Sequence, residues 1–211
     1  MQIKVAPTRM ELLRLKKRIE LARRGHKLLQ DKLEGLIKEF MPLVDEYVAL
    51  RDELDRRMPQ VLGLFAQASA QTGEDAIRTA LAQTGFHATV EITEERLASV
   101  PVPILSASVE RSKPFYSLLA TPAALDQAVA ELLDLFTLIL KTAQKEEAVR
   151  RLAKEIERTR RRVNALEYIL LPRLTAARKF IQAKLDEDER AARIRNMKVK
   201  ELLEKAAASG K

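Results

Sequence analysis

The sequence predicts a mainly α-helical protein: a long antiparallel two-helix coiled-coil hairpin with a small β-hairpin or loop element at the tip distal to the termini. Three observations support this fold class. Apolar residues recur at alternating steps of three and four through both halves of the chain, which is the spacing of a coiled-coil seam. Only 6 Gly and 8 Pro interrupt 211 residues rich in Ala, Leu, Glu, Lys and Arg. A short strand-like segment separates the two halves, so a hairpin can bury both seams.

The first element, residues 1–72, is predicted to be a long helix. Thr8 followed by Glu11 has the spacing of a capping box, which marks the beginning of the helix. Pro42 must remove one backbone hydrogen bond, and Pro59 is expected to bend or end the helix. The predicted seam residues of this helix are Leu12, Leu15, Ile19, Leu29, Leu33 and Leu36.

The second element, residues 73–120, is predicted to hold a short helix followed by a β-hairpin or loop tip. The stretch HATVEIT, residues 87–93, alternates with period two and is rich in β-branched residues, which favours a strand. The stretch VPVPIL, residues 100–105, contains two prolines. Proline cannot donate to a sheet ladder, so this second strand can only lie at an edge.

The third element, residues 121–211, is predicted to be the second long helix of the coiled coil. Its seam includes Val163, Leu166 and Leu170, followed by a step of four to Leu174. This step adds one residue to the heptad pattern, and Pro172 lies at the same place. Two independent irregularities coincide, so a local bend or straightening is expected there.

The register of the hairpin follows from the position of its turn. If the turn centres near residue 96, facing residues have numbers that add to roughly 192. This places His26 near Leu166. The second helix is longer than the first, so its end is expected to extend past the N-terminus.

Charge and composition limit the possible functions. The net charge is +8, made of +6 in residues 1–40, −7 in residues 41–140 and +9 in residues 141–211. Cys is absent, which excludes disulfides, thiolate metal sites and a Cys nucleophile. The sequence has no apolar run of the roughly 20 residues that span a bilayer and no signal-peptide core. We therefore expect a soluble intracellular protein without direct membrane insertion.

No catalytic constellation stands out in the sequence. It lacks a G-x-x-x-x-G-K-[ST] phosphate loop and a G-x-G-x-x-G motif. Its two histidines, His26 and His87, lie far apart in the chain. We therefore expect no catalytic residue, no cofactor, no metal site and no enzymatic activity of the chain by itself.

The basic clusters are the most informative surface feature. Both helices are expected to bring them to the end of the hairpin that holds the termini. The pattern is compatible with a solubilising surface, an acidic protein partner, nucleic acid or a membrane surface. Nucleic acid is disfavoured because aromatic stacking residues are few. The residues that we predict to contact a partner are Lys17, Arg23, Arg24, Arg160, Arg161 and Arg162.

Three separated stretches resemble the D subunit of the V-type and archaeal-type (A-type) rotary ATPases and ATP synthases. They are APTRMELLRLKKRIELARRGHKLLQDK at 6–32, YSLLATPAALD at 116–126 and RRRVNALEYILLPRL at 160–174. Their order and spacing agree along almost the whole chain, and residues 85–115 are the hardest to match. A heptad pattern alone would not produce this agreement.

The resemblance implies a central rotor shaft, or central stalk, without catalytic activity. In that family the paired termini enter the bore of a catalytic hexamer of A and B subunits. A small F subunit binds along the shaft, and a connecting subunit links it to the membrane ring. The implied role is to couple ATP synthesis or hydrolysis to hydrogen ion or sodium transport. The implied location is the cytoplasmic face of a membrane, in a peripheral part of the complex.

Two other classes of protein stay open at the level of sequence. A coiled-coil scaffold or chaperone-like adaptor would need only the heptads, and not the three stretches. A basic hairpin that binds nucleic acid would show salt-dependent affinity for DNA or RNA. Neither the coupling ion nor the direction of ATP turnover can be read from this chain.

Overall fold

The computed structural model describes residues 6–82, 87–110 and 121–209. It consists of two long helical halves with an antiparallel two-stranded hairpin between them in the chain, which confirms the predicted mainly α-helical fold with a small β-hairpin. The elements in chain order are α1 (Arg9–Thr72), α2 (Glu74–Ala82), β1 (His87–Leu97), β2 (Val100–Glu110), α3 (Ala123–Asn164), a π-helical turn (Ala165–Leu170) and α4 (Leu171–Ser209).

The chain forms two compact units. The terminal unit contains residues 1–33 and 158–211, and the hairpin unit contains residues 34–157. The three-part division at residues 72 and 120 stays a prediction, and residues 83–86 and 111–120 of its middle part lie outside the described ranges.

Helix α1 begins where the capping pattern predicts. The Thr8 hydroxyl accepts a hydrogen bond from the Glu11 N–H at 3.2 Å, which satisfies one of the free donors of the first turn. The prediction that Pro59 bends or ends the helix is wrong as to its end, because α1 continues through Pro42 and Pro59 to Thr72. Gly73 then terminates α1 with a positive φ of 89°, a conformation that glycine adopts without steric cost.

The terminal unit is held together by an antiparallel pair of helical segments. One buried cluster joins Leu12, Leu15 and Ile19 of α1 to Leu174 and Ile181 of α4. Burial of each such side chain contributes about 1.5–3 kcal/mol of transfer free energy. The helix pairing therefore rests on these aliphatic side chains.

Two polar contacts fix the register of the terminal unit. Arg9 donates to Glu189 at 2.7 Å, and His26 Nε2 lies 3.4 Å from Glu167 Oε2. The second pair places His26 one residue from Leu166, as the sequence predicted. From the first pair to the second the residue number rises along α1 while that of its partner falls, so the two helical segments are antiparallel.

The hairpin unit is built on α1 and α3. Leu36 and Leu43 of α1 form one cluster with Ala148 and Leu152 of α3, and the β2 residues Val100 and Val102 complete it. Leu135, Leu138 and Val61 form a second cluster. The turn end of the β-hairpin is therefore packed into the helical core of this unit.

A third cluster in the hairpin unit includes α2. Ile77 and Ala80 of α2 are buried together with Ala68, Leu125 and Val129. Helix α2 is amphipathic, because these two buried residues lie three apart on one face of the helix. It therefore covers apolar surface that α1 and α3 present to it.

Side chains of α3 fasten the β-hairpin through its backbone. Arg151 donates to the Pro101 carbonyl at 3.0 Å, and the Leu105 N–H donates to the Gln144 side-chain oxygen at 3.2 Å. Arg151 also pairs with Glu94 of β1 at 3.6 Å. The two hydrogen bonds satisfy backbone groups of β2 that the partner strand cannot reach.

Candidate functional site

The candidate site is the outer surface of the terminal unit around the π-helical turn. This turn interrupts the regular hydrogen-bond pattern, and the Leu171 N–H donates to the Leu166 carbonyl, five residues back. Pro172 has no N–H to donate. A π-turn accommodates one residue more than an α-turn, so it absorbs the extra residue that the heptad pattern contains.

The π-turn changes which leucine faces the seam. Leu170, predicted to lie in the seam, is instead 41% exposed, whereas Leu174 is 4% exposed. The prediction is wrong for Leu170 because the turn absorbs the added residue locally and rotates this side chain outward. The predicted irregularity is at the expected place, and the backbone forms it as a π-turn.

The other predicted seam residues point inward to different degrees. Val163 is 7% exposed, and Leu29, Leu33 and Leu166 are half-buried. Leu12, Leu15, Ile19 and Leu36 are buried like Val163, and Leu36 is the most buried at 1% exposed.

All six predicted contact cations are exposed in the terminal unit. Lys17, Arg23 and Arg24 lie on α1, and Arg160, Arg161 and Arg162 lie near the end of α3. Arg24 forms an ion pair with Glu20 one turn earlier. Such exposed pairs contribute about 0–1 kcal/mol, so the guanidinium can exchange its partner at little cost.

These cations do not form a single ring. The His26–Glu167 contact places Lys17 beside about residue 176 of α4. Arg160 precedes residue 176 by about 16 residues, so Lys17 and Arg160 are about 24 Å apart along the helix axis. Arg160, Arg161 and Arg162 are consecutive, so they fan over about 200° of the helix surface. The positive charge is thus distributed unevenly around and along this unit.

Exposed apolar side chains accompany the cations. Leu21 and Leu28 of α1 are 71% and 68% exposed, and Tyr168 and Ile169 of the π-turn are 71% and 50% exposed. The antiparallel register places all four at similar levels. Sequence reasoning missed them as surface residues, although their signal was present: Leu21 and Leu28 lie outside the three-four pattern of the seam.

An acidic side chain lies within this basic surface. Glu167 of the π-turn contacts His26 of α1 across the helix pair at 3.4 Å, and the His26 side chain is 21% exposed. Their contact joins the π-turn to α1 by a polar link beside the apolar seam.

The described residues contain neither a candidate metal site nor a helix that could cross a membrane. No group of three or more His, Asp or Glu side chains in the described ranges could hold a metal ion. None of the helices in those ranges combines the length and the apolarity that crossing a bilayer requires.

Known proteins of similar sequence cover nearly the whole chain. A family described as the D subunit of ATP synthase matches residues 11–201. The V-type ATP synthase D subunit of Thermoanaerobacter sp. (strain X514) is 42% identical over 205 residues, which are 96% of this chain and 98% of that protein. The A-type ATP synthase D subunit of Thermococcus kodakarensis is 40% identical over 210 residues, 98% of each chain.

A third relative gives the same result at slightly lower identity. The A-type ATP synthase D subunit of Pyrococcus furiosus is 38% identical over 205 residues, 96% of each chain. Matches of this extent include both helical halves and the hairpin between them, so they do not arise from coiled-coil periodicity alone. The chain belongs to the family of ATP synthase D subunits.

Proposed function

We propose that this chain is the central stalk of a V-type or A-type ATP synthase and transmits rotation between its catalytic part and its membrane part. The observation that carries the proposal is the match to relatives of the D-subunit family over nearly the full length of both proteins. The fold supports it, because paired helices with interlocked aliphatic side chains resist bending and twisting. A shaft needs that stiffness to transmit torque.

We propose different partners for different parts of the chain. The terminal unit inserts into a hexamer of catalytic A and B subunits, where its cations face acidic side chains. The small F subunit binds along the shaft, and a connecting subunit joins it to the membrane ring. In this arrangement the chain itself catalyses no reaction and lies at the cytoplasmic face of the membrane, as a peripheral part of the complex.

The uneven surface of the terminal unit supports a mechanism of coupling. A rotating shaft must present different contacts to equivalent catalytic sites, since only differential contacts can shift their equilibria. The fan of Arg160, Arg161 and Arg162 and the apolar pair Tyr168 and Ile169 provide such differences. Exposed charges interact over a Debye length of about 8 Å, so each contact forms and dissolves as the shaft turns.

Charge reversal tests the role of the six cations. Replacing all of Lys17, Arg23, Arg24 and residues 160–162 by Glu is expected to reduce assembly with the hexamer and ATP-driven rotation. Each position is exposed, so the isolated chain should keep its helical circular dichroism. Unchanged assembly and rotation would rule out this contact surface.

A matched control variant carries six Lys or Arg to Glu replacements in the hairpin unit, which change the net charge by the same amount. Six exposed cations of that unit serve as the control set. They are Lys38, Arg56, Arg57, Arg78, Lys141 and Lys154. Their reversal is expected to leave hexamer assembly intact, which separates a local contact from a general effect of charge.

A further inference from the structure

The two outer edges of the β-hairpin differ in their backbone groups. The strands pair from His87 with Glu110 to Leu97 with Val100, and two residues connect them. In such a hairpin the pair next to the turn is hydrogen-bonded, and hydrogen-bonded pairs then alternate with non-hydrogen-bonded ones. Residues of the non-hydrogen-bonded pairs direct their N–H and C=O groups outward. These residues are 88, 90, 92, 94 and 96 in β1 and 101, 103, 105, 107 and 109 in β2.

The outer edge of β2 is largely closed. Pro101 and Pro103 occupy two of its outward positions and have no N–H. The Pro101 carbonyl accepts a hydrogen bond from Arg151, and the Leu105 N–H donates one to Gln144. Both observed hydrogen bonds fall on predicted outward positions, which supports the assignment of alternating pairs.

The outer edge of β1 is open. This strand contains no proline and no lysine from His87 to Leu97, and those are the residues that commonly protect an edge. Every side chain from 88 to 96 is exposed. Ala88, Val90, Ile92, Glu94 and Arg96 therefore present outward backbone donors and acceptors, and no helix in the described ranges covers them.

The side chains of β1 specify what could pair with this edge. Val90 and Ile92 lie on one face and are 39% and 68% exposed. Glu91 and Glu95 lie on the other face, are exposed and form no ion pair with another described residue. Glu94 already has a partner in Arg151. The free edge thus combines Val90 and Ile92, followed on the same face by Glu94 and Arg96, with the carboxylates of Glu91 and Glu95 on the other face.

We propose that the outer edge of β1 accepts, as a third strand, an extended segment of another subunit of the ATP synthase. The segment carries Lys or Arg beside Glu91 and Glu95 and apolar side chains beside Val90 and Ile92. Backbone hydrogen bonds provide the affinity, and the flanking side chains provide the specificity. A two-stranded sheet is marginal, and a third strand stabilises it. The inference rests on the proposed function, since the partner is a subunit of that complex.

Amide hydrogen exchange tests the proposal at single-residue resolution. The N–H groups of Val90, Ile92 and Glu94 are expected to exchange fast in the isolated chain and at least about tenfold more slowly in the assembled complex. The inward N–H groups of Glu91 and Thr93 should be protected in both states. Equal exchange of the outward amides in both states would overturn the proposal.

A pair of substitutions at one position separates backbone pairing from side-chain contact. Ile92→Pro removes an outward N–H and keeps every hydrogen bond between β1 and β2, whereas Ile92→Thr keeps the N–H. The probe is the set of remaining subunits, purified without this chain. Ile92→Pro is expected to weaken their association about tenfold and Ile92→Thr about threefold or less. Equal effects of the two variants would overturn pairing through the backbone.

Protection of the inward amides reports whether the proline variant still forms its hairpin. If Ile92→Pro loses that protection, Ile92→Lys, which keeps the N–H but places a charge at the edge, takes its place. It is then expected to weaken association about tenfold relative to Ile92→Thr, and equality of those two variants would overturn the proposal.

Two further outcomes separate this inference from its alternatives. Protection of the outward amides in the isolated chain that rises with its concentration would show that a second copy occupies the edge, and would overturn the proposal of a different subunit. Entry of the chain into the complex without protection would end only this inference. Failure to enter the complex at all would end the proposed function as well.

Discussion

Ala98 and Ser99 connect the two strands in a conformation that L-residues adopt at a cost. Their φ angles are 47° and 70°, and both central residues of this turn type require positive φ. Each such non-glycine residue loses about 1–2 kcal/mol. The sequence offers neither Gly nor Asn here, so the turn could not be located from its own residues, only from the strands on each side.

Replacing Ser99 by glycine is expected to stabilise the protein. Ser99→Gly removes the steric cost of the positive φ, and we expect a gain of about 1 kcal/mol in the free energy of unfolding. Urea denaturation of the isolated chain measures it. Ser108→Gly is the matched control: Ser108 lies inside β2, where glycine weakens a strand, so a loss is expected. Gains at both positions would contradict the interpretation of strain.

The carboxylate of Glu147, on α3, makes the stability of the fold depend on pH. The hydrogen bond from Arg151, followed by the attraction of its charge, lowers the pKa of Glu147 below its usual 4.5. The Glu147 carboxylate therefore stabilises the folded state fully above pH 4.5, and the contribution is lost as the pH falls through the lower folded pKa.

Glu147→Gln tests this dependence. The substitution is expected to lower the urea midpoint near neutral pH, and the difference from the parent should shrink as the pH falls below 4.5 and through the lower folded pKa of Glu147. Glu39→Gln serves as a control, since Glu39 is exposed and makes no ion pair with another described residue. A difference that stays constant with pH would contradict a contribution from the ionised carboxylate.

At the scale of elements, the heptad spacing predicted the helices well and their interruptions poorly. Leucines at alternating steps of three and four are a direct consequence of burial along one seam, so the helix pairing was visible in the sequence. Pro59 was expected to bend or end the helix, yet α1 continues through it because tertiary packing of Val61 outweighs the lost hydrogen bond. The period of the pattern showed that a residue was inserted before Leu174, but not how the backbone would absorb it.

Deleting Leu170 tests the role of the π-turn. The deletion restores the three-four spacing by moving Leu171 and Leu174 into regular seam positions, so the isolated chain should fold with equal or higher thermal stability. A regular helix would also change the direction of Tyr168 and Ile169, and ATP-driven rotation in the complex is expected to fall.

A deletion elsewhere provides the comparison. Ala153 is exposed and lies in α3 where the spacing is unbroken. Its removal shifts Ile156 and Thr159 off the seam, and it is expected to destabilise the chain by about 2 kcal/mol or more. If the Leu170 deletion unfolds the chain as readily as the Ala153 deletion, the π-turn does not simply absorb an inserted residue.

At the scale of the whole molecule, charge and fold support the same function. Residues 1–40 and 141–211 have a net positive charge, and residues 41–140 have a net negative charge. The two compact units therefore offer different surfaces to different partners. The basic clusters could be predicted from the sequence, because Lys and Arg side chains are almost always exposed however the helices pack. The exposed apolar residues Leu21, Leu28 and Tyr168 were not, since only the structure shows which apolar side chains stay unburied.

Single-molecule observation of rotation tests the central claim most directly. The hexamer of the reconstituted complex is fixed to a surface, and a bead is attached to this chain through a Cys introduced in the hairpin unit, because the natural sequence has no Cys. With ATP supplied, the bead is expected to turn continuously in one direction, and to stop when ATP is removed. Steady ATP hydrolysis by the hexamer while the bead shows no net rotation would contradict a central stalk.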